Sequence, residues 1–271
     1  MSQSASWYRG GNVAGSLGAN YDQYLVPTIF GPWAIDLVAL AAPQAGERIL
    51  DAACGTGVVA REAARVVGAT GTVTGLDLNP GMLNIGRAHD PSGLVSWHEG
   101  SVQAMPFAEG AFTLVLCQQG LQYFPDRGAA LSEMHRVLAP AGRLVLSVWR
   151  AVEHSPGFLA LGQALARHLN PELKILPPFV LGEGAGLALE VTGAGFEDVT
   201  TQFASRNLHY PSTDDFVWSF ISATPLAEAL DQAGETTSTA VLAEVSAALQ
   251  PYIDDTGLAF PIESQIIQAH K

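Results

Sequence analysis

Residues 50–60, LDAACGTGVVA, place two glycines just past an apolar run and just ahead of a stretch that reads as a helix. Gly55 and Gly57, with Ala60 in the last place, satisfy the G-x-G-x-x-G/A fingerprint of dinucleotide-binding folds. Glycine at these points lets the chain turn tightly and lets a ligand approach the backbone without a Cβ in the way. In a doubly wound sheet, ligands bind beyond the carboxyl ends of the strands, where such a loop lies. Asp51 complicates the fingerprint. A carboxylate beside the loop opposes a pyrophosphate and suits a cationic group, an ammonium or a sulfonium. An aspartate ending a strand can also simply accept nearby backbone amides.

Outward from this loop the pattern is one of alternation. A helix is expected over about 28–42, followed by the apolar, strand-like runs RILDAA, TVTGLDL, LVSWHEG, FTLVLCQQ and RLVLSVW. Helical stretches near 58–67, 81–89 and 127–138 separate them, and Pro140-Ala-Gly142 is expected to stop the last of these. Alternating strands and helices with near-continuous apolar strands predict a parallel sheet covered on both faces. In the second half, SPGFLALGQALARHL reads as a helix and FEDVTTQFASRNLHY as a strand. A helical insertion over about 211–249 precedes a final strand, GLAFPIESQIIQAH. The expectation is a doubly wound, Rossmann-like α/β sheet of about seven strands, mostly parallel, with an antiparallel edge hairpin and helical lid elements. One domain should span 1–271: an N-terminal lid and helix over 1–45, a core over 46–150, and an acceptor-side half over 151–271.

The 271 residues are 48% apolar and 14% charged, the balance of a globular protein with a sizeable core. A formal net charge of -13 argues against a surface that grips nucleic-acid phosphates or anionic lipid. The two cysteines, Cys54 and Cys117, form no C-x-x-C pair, so neither a disulfide scaffold nor a cysteine zinc site is expected. The start, MSQSASWYRGG, lacks the basic and apolar regions of a signal peptide. No membrane span is expected either, because AIDLVALAA is short and broken by Asp36. A cytoplasmic protein with a small-molecule partner is the resulting expectation, and a homodimer is compatible with it.

Asp77 ends the second strand-like run, about twenty residues past the glycines, where a carboxylate can accept both hydroxyls of a ribose. Asp77 or Asn79 could instead cap the helix that starts at Pro80. Beyond these single features, ILDAACGTG, VTGLDLNPGML, AMPFAEGAFTLVLCQQGLQYFPD and EMHRVLAPAGRLVLSVW resemble, in order and spacing, the successive motifs of class I S-adenosylmethionine (SAM)-dependent methyltransferases. The branch most similar is that of the ubiquinone/menaquinone C-methyltransferases, and the likeness covers about 47–150. It implies that Asp51, Ala53, Gly55 and Gly57 border the methionine part of SAM. It also implies that Asp77 takes the ribose and that Leu78 and Met82 pack on the adenine. Ser101 and Val102 stand where the family commonly has an acidic and a small apolar residue at the adenine edge. Ser101 departs from that pattern, since a hydroxyl lacks the strength of a charge-assisted bond. Thr113 replaces an aspartate usual in the fourth strand, with no loss of chemistry expected. Gln118 is implied to contact the aminoacyl end.

Methyl transfer asks an enzyme mainly to align the nucleophile, exclude water and, where needed, remove a proton. In similar enzymes the N-terminal segment and the insertion before the last strand form a lid, here about 2–30 and 211–249. Tyr21 and Tyr24, three apart, could share a helix face, with Tyr8 and Arg9 as further candidates. His154, after the fifth strand, is the candidate general base, although it could instead cap the helix opening near Ser155-Pro156. His135 is expected at the surface and His98 away from the methyl group. Tyr123, Phe124 and Trp218 are candidates for an apolar acceptor wall or for core. Cys117 reads as a small buried residue. No metal-ligand spacing occurs, so no metal is expected. Two rivals remain. An NAD(P)-dependent oxidoreductase should carry a Tyr-x-x-x-Lys, but neither Lys174 nor Lys271 has a tyrosine four residues before it. A non-catalytic SAM-binding protein would fit Ser101 and the lack of an assured base.

Overall fold

The computed structural model describes residues 16–174, 176–182 and 185–271. Tyr8 and Arg9 lie outside them. The first described elements form one continuous helical run: α1 (Ser16–Asn20), a π-helical segment (Tyr21–Phe30) and α2 (Gly31–Ala41). The helix expected from residue 28 is thus already formed at Ser16, the first residue described. By length and composition, Leu17–Ala41 could cross a membrane, contrary to the sequence expectation. That expectation looked for an unbroken apolar run, whereas a helix of this length tolerates two carboxylates. In this fold Trp33, Ala34, Leu37, Val38 and Ala41 are buried against the sheet. Asp22 pairs with His89 at 2.7 Å, and Asp36 with Arg206.

Then come β1 (Arg48–Ala52), α3 (Val58–Val67), β2 (Thr72–Asp77), α4 (Pro80–Ala88), β3 (Val95–Glu99), β4 (Phe112–Gln118), α5 (Arg127–Val137) and β5 (Leu138–Trp149). Helix α5 stops before Pro140 is reached, and the sharp backbone turn falls at Ala141, with φ +61°. Pairing with β4 becomes regular only from Arg143, opposite Leu114, as the run RLVLSVW anticipates. The second half adds α6 (Pro156–His168), α7 (Ala185–Gly193), β6 (Glu197–Tyr210), α8 (Thr213–Ser222), α9 (Leu226–Ala233), α10 (Glu235–Leu249), β7 (Ile253–Asp254) and β8 (Gly257–His270). Among the described α-helices and strands of this half, α7 and the two-residue β7 have no counterpart in the sequence reading.

The sheet runs β3-β2-β1-β4-β5-β8-β6, with β7 paired to β8. Strands β1 to β5 are parallel to one another, whereas β8 is antiparallel to both β5 and β6. This is the expected doubly wound, mostly parallel sheet with an antiparallel edge hairpin. Alternate residues of a strand face opposite sides, which explains why the strand runs are apolar throughout. Leu50, Val115, Leu144 and Leu146 join one core with α5 and α7, while Ile49, Leu114, Leu116 and Val145 join another with α2 and α3. A third cluster gathers the π segment, α6 and the helical insertion over the far ends of β6 and β8. Chain order reverses between β1 and β4, so a crevice opens at the carboxyl ends of β1, β2 and β4, the place such sheets bind ligands.

Candidate active site

Five residues separate β1 from α3, and three of them have positive φ: Ala53 (+59°), Gly55 (+56°) and Gly57 (+78°). The loop is tied down at its base. Cys54 N donates to Leu76 O at 3.0 Å, and Gly57 N to Cys54 O at 2.8 Å. A Cβ on Gly55 would meet nothing within 4 Å, so its backbone is open to a ligand. Gly57 is different. It does not line the crevice, contrary to its expected place beside the ligand, and its added Cβ would fall 2.1 Å from the Trp97 ring. Its glycine is required by packing and by φ.

Two buried carboxylates flank the loop. Asp51, 1% exposed, accepts the Ala60 amide at 2.9 Å and so satisfies one of the orphan donors at the start of α3. Burial, then Asp77, push its carboxyl up to about 7, against the pull of the Ala60 amide and Arg61. Asp77 accepts the Gly55 amide through Oδ2 and the Asn79 amide through Oδ1, both at 2.8 Å. The cap of α4 is Asn79, which accepts from Gly81 N and Met82 N.

The crevice encloses a cavity of about 350 Å³. Of the candidates from sequence, Asp51, Ala53, Gly55, Asp77, Leu78, Met82, Ser101, Val102, Gln118, Tyr21, Tyr123 and Phe124 line it. Leu78 is 52% exposed, an apolar side chain facing the cavity. The Ser101 hydroxyl accepts the Gln103 amide at 3.2 Å. Gln118 donates through Nε2 to the Phe30 carbonyl at 3.0 Å, while its buried Oε1 has no partner among the described residues. Tyr21 and Tyr123 are held protonated, Tyr21 by burial and then by Tyr123 and Asp77, and Tyr123 by burial.

Tyr24, Trp218 and His154 do not line the cavity. Tyr24 shares no face with Tyr21 because the segment is a π-helix. Its wider turn aligns Tyr21 with Leu25 and Phe30, whose ring lies 4.9 Å from that of Tyr21. Trp218 is 63% exposed on the outer side of α8, and Phe220, two residues on, lines the cavity in its place. His154 sits in a short turn 3.6 Å from Glu263, and Ser155 holds the N-cap position of α6. His135, expected at the surface, is half-buried edge-on against Phe196. Cys117 is fully buried, its thiol pushed up to about 12 by burial.

The apolar end of the cavity adds Leu17, Leu25, Phe30 and Leu226, which fall within the spans expected as a lid but were not singled out, and Pro177 and Pro178, which fall outside them. These come from three separate stretches of chain and carry no local motif. Phe220 did leave a signal, since Phe216, Val217, Phe220 and Ile221 mark the buried face of α8 and exclude Trp218. Gln119, with φ +54°, is a second non-glycine residue after Ala53 held in the left-handed region at the cavity wall. Such backbone strain concentrates at functional sites.

Residues 50–146 match the family model described as a methyltransferase domain. The ubiquinone/menaquinone biosynthesis C-methyltransferase of Psychromonas ingrahamii is 34% identical over 138 residues, covering 48% of this chain and 55% of that protein. Demethylmenaquinone methyltransferase of Chlorobaculum parvum is 44% identical over 100 residues, 36% of this chain and 40% of that protein. The chain spans about half the length of the curated relatives it matches. Among solved structures, phosphoethanolamine N-methyltransferase 2 of Haemonchus contortus, in complex with SAM, superposes with a TM-score of 0.64 at 17% identity. That match covers 100% of this chain and 60% of the other, and it speaks for the fold. Sheet order, loop geometry and sequence match agree: residues 50–146 are similar to a methyltransferase domain, and the fold is shared with the solved methyltransferase above.

Proposed function

We propose that the protein transfers the methyl group of SAM to a small, uncharged, apolar or aromatic acceptor. One observation carries this reading. A single cavity joins a polar end, built by the glycine loop, Asp51 and Asp77, to an apolar end walled by Leu25, Phe30, Phe220 and Leu226. The residues fit SAM on several counts. Asp77 accepts a backbone amide at each oxygen and lines the cavity, where a carboxylate suits ribose hydroxyls. Leu78 and Met82 offer an apolar bed for a purine. Asp51 supplies negative charge near the open loop, where a cationic ligand end would hold it ionised.

When bound, SAM supplies an electrophilic methyl group on a sulfonium. The chain's own residues bind, orient and exclude water. Helix α1 and the π segment cover the cavity from one side with Leu17, Tyr21, Leu25 and Phe30. Tyr21 and Tyr123 keep their phenolic protons and can donate to an acceptor oxygen. Among the described lining residues there is no lysine, arginine or histidine. An anionic acceptor would therefore meet Asp51 and Asp77 without a compensating side chain among these residues. The reactive form of the acceptor is then set by its own acidity, as in a phenol or an enolisable carbon.

Calorimetric titration with S-adenosylhomocysteine should show saturable binding, and mass spectrometry should detect one added methyl on neutral phenols or quinols supplied with SAM. Matched carboxylated or phosphorylated acceptors should stay unmodified. Absence of binding, or binding of a nicotinamide dinucleotide instead, would overturn the proposal.

A further inference from the structure

The indole of Trp97, on β3, lies behind the glycine loop and not in the cavity lining. Glycines from three different elements face it. An ideal Cβ on Gly57, at the start of α3, would stand 2.1 Å from the ring; on Gly86 of α4, 2.8 Å; and on Gly75 of β2, the ladder partner of Trp97, 3.1 Å. The Thr56 carbonyl would stand 3.2 Å from the Gly86 Cβ, so loop and helix close on each other beside the same ring. Protein interiors pack near crystal density, and contacts this tight fix the spacing of the elements that make them. On their other side those elements form the cavity wall: Gly55 and Val58 from the loop and α3, Asp77 from β2, Met82 and Ile85 from α4.

We infer that Trp97 is a positioning residue for the SAM site. Its ring sets the height of the glycine loop and the gap between the start of α3 and α4, the gap that receives SAM. This rests on the SAM reading above. A ring that only filled the interior would change stability and leave the affinity of the folded protein alone. A positioning ring changes affinity, because the loop amides and the Asp77 carboxylate keep hydrogen-bonding geometry toward a ligand only while the packing behind them holds.

The test is calorimetric affinity for S-adenosylhomocysteine in the wild-type chain, Trp97→Leu, Gly86→Ala and the double variant, each shown to be folded by circular dichroism. Trp97→Leu and Gly86→Ala should each weaken binding about tenfold, the equivalent of roughly one lost hydrogen bond. In the double variant the added methyl enters space that the indole has left, so the combined loss should be smaller than the product of the two. Trp97→Phe, which keeps a ring, should fall between wild type and Trp97→Leu, and it replaces the leucine variant if that one does not fold. Wild-type affinity in the folded single variants, or losses that multiply in the double variant, would overturn the inference while leaving the SAM reading intact. If the wild-type chain itself does not bind, both fall.

Discussion

Oδ2 of Asp77, at the end of β2, accepts the amide of Gly55 at 2.8 Å, so one carboxylate joins the second strand to the glycine loop of the first. The other oxygen orders the Asn79 amide, where α4 begins. Asp77→Asn replaces one acceptor oxygen by an NH₂ group that confronts a backbone N–H. Affinity for S-adenosylhomocysteine should fall at least about tenfold, with a stability loss of about 1–3 kcal/mol. Calorimetry and urea unfolding separate the two effects.

Asp51 should make the site pH-dependent. Its folded value, about 7, lies above the ordinary 3.8, chiefly through burial. The folded chain therefore holds a proton that the unfolded chain releases, and the associated stability is present below about 4 and lost as pH rises through about 7. A cationic ligand favours the ionised form, so SAM affinity should increase from pH 6 to 8 with proton uptake by the buffer. S-adenosylhomocysteine, without the sulfonium charge, should show a weaker dependence. Titrations in buffers of different ionisation enthalpy measure the proton released, and Asp51→Asn should abolish it.

Gln118 ties β4 to the π segment through the Phe30 carbonyl, while its Oε1 lacks a partner among the described residues. Gln118→Leu removes both the anchor and an unsatisfied oxygen. The two effects oppose each other in stability, so unfolding should shift by less than about 1 kcal/mol. Ligand affinity should fall several-fold, because the cover is no longer held at its junction with β4. A large loss of stability with unchanged affinity would contradict this.

On α8, two neighbouring aromatics should behave oppositely. Trp218→Ser, at an exposed site, should change stability by no more than about 0.5 kcal/mol and leave the KM for an acceptor unaltered. Phe220→Ala removes a buried ring that packs 5.1 Å from Phe158 and lines the cavity. It should cost about 3–5 kcal/mol and raise the acceptor KM. Steady-state kinetics on any acceptor identified by mass spectrometry provides the comparison.

The sequence by itself determined the sheet. Period-two burial on a two-faced sheet requires apolar runs such as FTLVLCQQ, and glycines past Leu50 and a carboxylate at Asp77 are local signals that need no distant partner. Helix α3 was legible to the residue for the same reason. The donor end of the cavity follows from these, since its residues sit at strand ends whose order the motifs fix.

Only the tertiary structure decided the rest. The π-helical turn placed Phe30 beside Tyr21 and turned Tyr24 away, an outcome that spacing three apart cannot foretell. His154, drawn to Glu263, stayed outside the lining, and prolines 177 and 178 entered it from a segment with no motif. Gly57 looked like a ligand contact and proved to be the seat of an indole from β3. Local sequence encodes the conformation that each segment can adopt. Which side chains then share a cavity depends on how segments far apart in the chain are packed, and no local pattern carries that information.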